Sequence, residues 1–121
     1  MLNDLRIGAS ELHGRGVFAT RGFAPGDTVE RCPVIDVPAT ERDRLDQTAL
    51  YDYYFKWQDG GAALALGYGS LYNHSPSHNA RYVKEFDANV VAFVAVVAIS
   101  PGEEITVDYT DDGRNELWFD V

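Results

Sequence analysis

Between residues 14 and 35 the chain reads GRGVFATRGFAPGDTVERCPVI, in which short β-prone runs alternate with glycine and Pro-Gly punctuation, the pattern of hairpins. This punctuation leaves little room for helices, so residues 14–19 and 28–35 are expected to form the first two strands. The same unit returns near the end. FAPGDTVE, residues 23–30, and ISPGEEITV, residues 99–107, share an apolar residue, Pro-Gly, an acid and a strand. Proline fixes φ and glycine accepts φ > 0, which suits a type II turn. Two copies do not make a solenoid; they mark a domain built from many short strands.

One stretch escapes the punctuation. PATERDRLDQTALYDYYFKW, residues 38–57, lacks glycine and spaces Leu45, Ala49 and Tyr53 at helical intervals. Thr40, with Asp43 three residues on, offers a cap, so the one helix is expected here, stopped by Gly60 and Gly61. ALALGYGSLY then returns to short extended pieces. ARYVKEF and NVVAFVAVVAI predict a hairpin through Asp87, Ala88 and Asn89, with the more apolar second strand central in its sheet. The run VVAFVAVVAI, residues 90–99, is too short for a membrane helix, which needs about 20 residues. It is expected as a buried strand, and no membrane partner is expected. At 121 residues the chain has room for one core, so residues 1–121 are read as one mainly β domain.

Charge narrows the partners. A net charge of −9, from 19 acidic and 10 basic residues, repels nucleic-acid phosphate and attracts basic segments. No direct nucleic-acid binding is therefore expected. MLNDLRIGAS lacks the basic and apolar regions of a signal peptide. The single cysteine, Cys32, excludes an intrachain disulfide and a thiolate zinc cluster. A cytoplasmic location fits, or a nuclear one at host chromatin for a viral or eukaryotic source.

The richest polar stretch is LYNHSPSHNARYV, residues 71–83, which places Asn73, His74, Ser75, His78 and Asn79 in one loop between apolar flanks. His74 and His78 are four apart, but a helical HxxxH metal pair needs a helix, and Ser75, Pro76 and Ser77 oppose one. With His13 the only other histidine, no metal is expected. Cys32 precedes a proline and reads as a small buried hydrophobe, and no Gly-x-Ser-x-Gly elbow is present. Two readings of the loop stay open: a cradle for a polar small molecule, or a structural loop whose Asn and Ser side chains satisfy their own backbone.

Taken in order, Gly14-Arg15-Gly16-Val17-Phe18-Ala19, then Asn73-His74-Ser75 with Asn79, then Gly102-Glu103-Glu104-Ile105 with Asp108-Tyr109, resemble the signature motifs of SET-domain protein lysine methyltransferases. The compact length is similar to that of the minimal stand-alone members from a large algal virus and from bacteria. The resemblance implies a mainly β, β-clip-like fold of several small sheets, with one short helical segment and a knot-like C-terminal crossing under the Asn-His-Ser loop. It implies S-adenosylmethionine as cofactor, held by Gly14, Arg15 and Gly16 and by the polar groups of Asn73 and His74. Arg15 would face the cofactor carboxylate. Tyr109 matches the catalytic tyrosine, which also touches the substrate. Tyr53 is the first choice for a second tyrosine lining the lysine channel, with Tyr51 and Tyr54 as alternatives.

The implied activity is methyl transfer to the ε-amine of a lysine in a basic protein segment such as a histone, histone-like or ribosomal tail. The alternative is an inactive SET-like β module that binds a peptide or small ligand, and a third reading is a structural module for assembly. The chain departs from the family pattern in three places. Its loop ends His78-Asn79 where relatives often have Pro-Asn. After Tyr109 it reads TDDGRNE, with no aromatic of the kind that limits the number of methyls added. It also lacks a cysteine-rich closing segment, so Leu117, Trp118 and Phe119 are the apolar groups left to cover the pocket. Trp118 would stack near the adenine or simply pack as a tail. The resemblance to the viral proteins implies a homodimer.

Overall fold

The computed structural model describes residues 4–112. Strands β1 (Leu5–Ala9) and β2 (Arg15–Ala19) form a hairpin, and β3 (Thr28–Val37) follows the first Pro-Gly turn. A single short helix, α1 (Arg42–Leu45), precedes β4 (Phe55–Lys56) and β5 (Ala62–Ala65). Then come β6 (Asn73–His74), β7 (Ala80–Glu85), β8 (Val90–Ala95) and β9 (Glu104–Val107). They build two sheets, ordered β1-β2-β9-β6 and β4-β5-β3-β8-β7. The fold is mainly β, as expected.

The hairpin through residues 87–89 is present, and β8 lies between β3 and β7 with Val91, Ala92, Phe93 and Ala95 buried. It ends earlier than its apolar run. The Ala95 N–H is taken by the Asp27 carbonyl and that of Val96 by Asn79, so the chain turns off and leaves Val97 half exposed.

Both Pro-Gly units form the expected turns, with Gly26 at φ 91° and Gly102 at φ 90°. They are also built alike. Asp27 accepts the N–H of Ala24 at 2.8 Å, and Glu103 accepts that of Ser100 at 2.6 Å. Phe23 and Ile99, the apolar residues ahead of each turn, exchange backbone hydrogen bonds of 2.9 Å. The sequence echo is thus a pair of turns packed side by side.

Two expectations are corrected. The helix over 38–57 is replaced by a 3-10 turn at Ala39–Glu41, the four-residue α1, and a second 3-10 turn at Ala49–Asp52. Thr48 causes the break: its hydroxyl donates to the Leu45 carbonyl and accepts from the Leu50 N–H, ending one turn and capping the next. Thr40 makes no cap, and α1 buries none of its residues, so no apolar face drives a longer helix. Strand β1 was not anticipated; LRIGA is short and carries a glycine at its fourth position.

Strand β9 joins the two ends of the polar loop. It pairs in parallel with β6, Asn73 opposite Thr106 and His74 opposite Val107, and the Ser75 N–H bonds the Val107 carbonyl. The Asn79 carboxamide donates to the Glu104 carbonyl and accepts from the Thr106 N–H, both at 2.9 Å, tying the far end of the loop to the same strand. β9 therefore runs beneath the loop, which is the crossing the resemblance implies.

Candidate active site

The turn between β1 and β2 is assembled from polar groups distant in sequence. Ser10 receives the N–H of Leu12 on its hydroxyl oxygen and donates to Glu104 Oε1 at 2.7 Å. The Asn73 amide nitrogen points into the same knot and donates to the carbonyls of His13 (3.1 Å) and Arg15 (3.0 Å) and to Glu104 Oε2 (2.8 Å). Asn73 on β6 and Glu104 on β9 thus fix the path of residues 13–15. Gly16 is packed against this knot, where a Cβ would collide with the Glu104 carboxylate and lie 2.9 Å from Asn73 Nδ2. Beside Gly14 there is open space. Gly16→Ala should destabilise the fold by about 1–3 kcal/mol, as overpacking does, read as a lowered urea midpoint. A midpoint equal to that of the parent would contradict this packing.

Tyr109 is buried and held at both ends by the segment that leads into the loop. Its backbone N–H donates to His74 Nδ1 at 3.2 Å, and its hydroxyl donates to the Tyr72 carbonyl at 2.7 Å. The Tyr109 ring packs against Phe55 (5.9 Å between centroids) and Tyr82 (5.8 Å). Asp108 lies 3.6 Å from His74 Nδ1. Its carboxyl is held below the usual range, first by the Thr110 hydroxyl and then by the Thr110 N–H.

A second network sets the facing wall. The Tyr54 hydroxyl donates to Asp46 Oδ1 and accepts from Arg42 Nη2, both at 2.7 Å, and burial raises its pKa. With Tyr54 fixed inward, its neighbour Tyr53 is turned outward and is 45% exposed.

These pieces enclose a cleft of about 310 Å³. His13, Gly14 and Arg15 form one lip, Asp52 and Tyr53 the other, and the stretch Ser70 to Asn73 lines it together with Tyr109. The cleft therefore brings together Gly14, Arg15, Asn73, Tyr53 and Tyr109. Gly16 and His74 do not line it: Gly16 lies behind the turn and His74 behind Tyr109. Of the alternatives to Tyr53, Tyr54 is committed to Arg42 and Asp46, and Tyr51 packs on Tyr54. Trp118, Leu117 and Phe119 lie outside the described residues. Among the described residues, no three His, Cys, Asp or Glu side chains are grouped to hold a metal ion.

Several members of the site were not singled out from the sequence. Glu104 sits inside a quoted motif, yet its partner Ser10 is 94 residues away. Asp52 adjoins Tyr53, and Tyr72 adjoins Asn73; their proximity to chosen residues was the only available signal.

The family model of the SET domain matches residues 14–110. The chain is 32% identical over 119 residues to a histone-lysine N-methyltransferase, H3 lysine-37 specific, of Schizosaccharomyces pombe, covering 98% of this chain and 78% of that protein. It is 33% identical to the N-lysine methyltransferase KMT5A of Xenopus tropicalis over 86% of this chain, which spans only 35% of that longer relative. Among solved structures, a candidate histone methyltransferase of Plasmodium falciparum matches with a TM-score of 0.72 at 32% identity, covering 88% of this chain and 92% of that one. A humanized mutant of the Chaetomium thermophilum Polycomb Repressive Complex 2 matches with a TM-score of 0.71 at 21% identity, over 89% of this chain and 15% of that one, a likeness of fold alone.

Proposed function

We infer the function from this premise: the chain belongs to the SET-domain family. It is a protein-lysine methyltransferase, and we propose that it takes its methyl group from S-adenosylmethionine and places it on a lysine ε-amine in a basic protein segment. The observation that carries this reading is Tyr109, buried at the cleft with its hydroxyl proton committed to the Tyr72 carbonyl.

The cleft suits the cofactor in three respects. Its volume of about 310 Å³ lies within the range of small-molecule sites. Open space beside Gly14 lets a ligand approach the backbone, and the Arg15 guanidinium at the lip is a sound partner for a carboxylate. Gly14, Arg15 and Asn73 would hold the cofactor, with Gly16 and His74 acting from behind; Trp118 is the proposed adenine contact. When bound, S-adenosylmethionine supplies an electrophilic methyl group on a sulfonium.

The chain's own residues do the rest by position. A free lysine has a pKa of about 10.4, so the amine must lose its proton before it can attack. A channel walled by Tyr53 and Tyr109 disfavours the ammonium form. The Tyr109 hydroxyl, held in place by its bond to the Tyr72 carbonyl, would align the amine nitrogen at the cleft. The same commitment argues against Tyr109 as a general base. The acidic surface favours a basic substrate segment. The homodimer belongs to this reading on the resemblance alone, and sedimentation velocity would test it.

The direct test is to incubate the full chain with S-adenosylmethionine and a mixture of basic histone-type peptides and to map mass gains. Methyl groups on lysines of the peptides are the expected result. Methylation of another residue type, or none by a folded protein that binds the cofactor, would overturn the proposed reaction.

A further inference from the structure

Behind the cleft lies a carboxylate with no part in the function described so far. Glu30 on β3 is 6% exposed, and among the described residues no cation forms an ion pair with it. Its Oε1 accepts the Tyr72 hydroxyl at 2.7 Å, and its Oε2 accepts the Tyr68 N–H at 3.0 Å. Each oxygen thus holds one short stretch, residues 68–72, which runs directly into Asn73, and the Cys32 thiol is a further neighbour of the carboxylate. The Tyr72 ring is stacked on Phe93, with centroids 4.1 Å apart and planes 20° from parallel. Its main-chain carbonyl, in turn, receives the Tyr109 hydroxyl at 2.7 Å.

Burying an unpaired carboxylate is costly, and an apolar pair at these positions would pack at lower cost. What the carboxylate adds is direction. Strand β6 has only two rungs on β9, and the Tyr72 side chain is anchored outside them. Glu30 clamps both ends of the stretch, and the ring stack removes the remaining freedom of Tyr72.

We propose that Glu30 and Tyr72 are a positioning pair: their buried hydrogen bond orients the Tyr72 carbonyl, and through it the Tyr109 hydroxyl. This rests on the assignment of Tyr109 made above. Burial, followed by the neighbouring Glu30, pushes the Tyr72 phenol well above its ordinary pKa, so it stays a donor over any working pH.

The test uses the full chain with tyrosines labelled at the ζ carbon, without cofactor, the Tyr109 resonance being assigned from Tyr109→Phe. Tyr72→Phe deletes one hydroxyl; Glu30→Gln keeps the volume but turns an amide toward one of two donors. Both should move the Tyr109 resonance. In turnover, Tyr72→Phe should lower kcat on the order of 10- to 100-fold, the scale of an ångström-size misplacement, with KM for S-adenosylmethionine unchanged. In a Tyr109→Phe background it should add no further loss. An unmoved Tyr109 resonance in both variants, or a lower unfolding midpoint with full turnover per folded molecule, would overturn the pair. If Tyr72→Phe does not fold, Glu30→Gln and the resonance decide alone. If Tyr109→Phe itself retains turnover, the assignment of Tyr109 fails, while the resonance still decides the pair.

Discussion

Tyr109→Phe is expected to lower methyl transfer by roughly 10²- to 10³-fold, the scale of losing one preorganised polar group at a reacting centre, while S-adenosylmethionine binding is largely kept. Phenylalanine preserves the ring contacts with Phe55 and Tyr82, and the hydrogen bond to His74 Nδ1 survives because it comes from the backbone. The bond to the Tyr72 carbonyl is lost, at a stability cost of about 1 kcal/mol. The cofactor lip, built by Ser10, Asn73 and Glu104, does not depend on that hydroxyl. Calorimetry and a turnover assay on one preparation check both halves. Undiminished turnover would remove Tyr109 from the chemistry; parallel loss of binding and turnover would make it a structural residue of the pocket.

Asn73→Ala should have a different signature, with weaker cofactor binding and a less stable fold together. One carboxamide serves the His13 and Arg15 carbonyls and the Glu104 carboxylate. Removing it leaves those acceptors without their donor, for which about 1–3 kcal/mol is expected, and frees the turn that carries Arg15. Asn73→Asp should be worse, because it sets a second carboxylate against Glu104. Urea unfolding and cofactor titration of both variants provide the check. Parent-like affinity in Asn73→Ala would mean that the 13–15 turn keeps its shape by other contacts.

The sequence was most legible where local chemistry decides the backbone. Pro25-Gly26 and Pro101-Gly102 can hardly avoid their turns, and the hairpin from Ala80 to Ala95 follows from two β-prone runs around Asp87, Ala88 and Asn89. The helix over 38–57 failed because Leu45, Ala49 and Tyr53 have the right spacing but no apolar surface to meet. Tyr54, Phe55 and Trp57 carry that segment's burial instead. Near the cleft, Tyr109 was readable as part of the Asp108-Tyr109 motif and Tyr53 only as one of three tyrosines in YDYYF, while the contacts of Glu104 and Glu30 were not readable at all. A carboxylate in a sequence reads as surface charge, and nothing local reveals that Ser10 lies against Glu104 or Tyr72 against Glu30, 42 residues apart. The position of His74 was also beyond reach. Its motif implies a ligand contact, whereas its imidazole supports the backbone of Tyr109.

Calorimetric titration of the folded full chain with S-adenosylmethionine, repeated with Arg15→Ala, tests the shared pocket most directly. Saturable binding that weakens in the variant is the predicted result. Absence of binding by a chain shown to be folded, or binding indifferent to Arg15, would contradict the placement of the cofactor between the 13–15 turn and Tyr109.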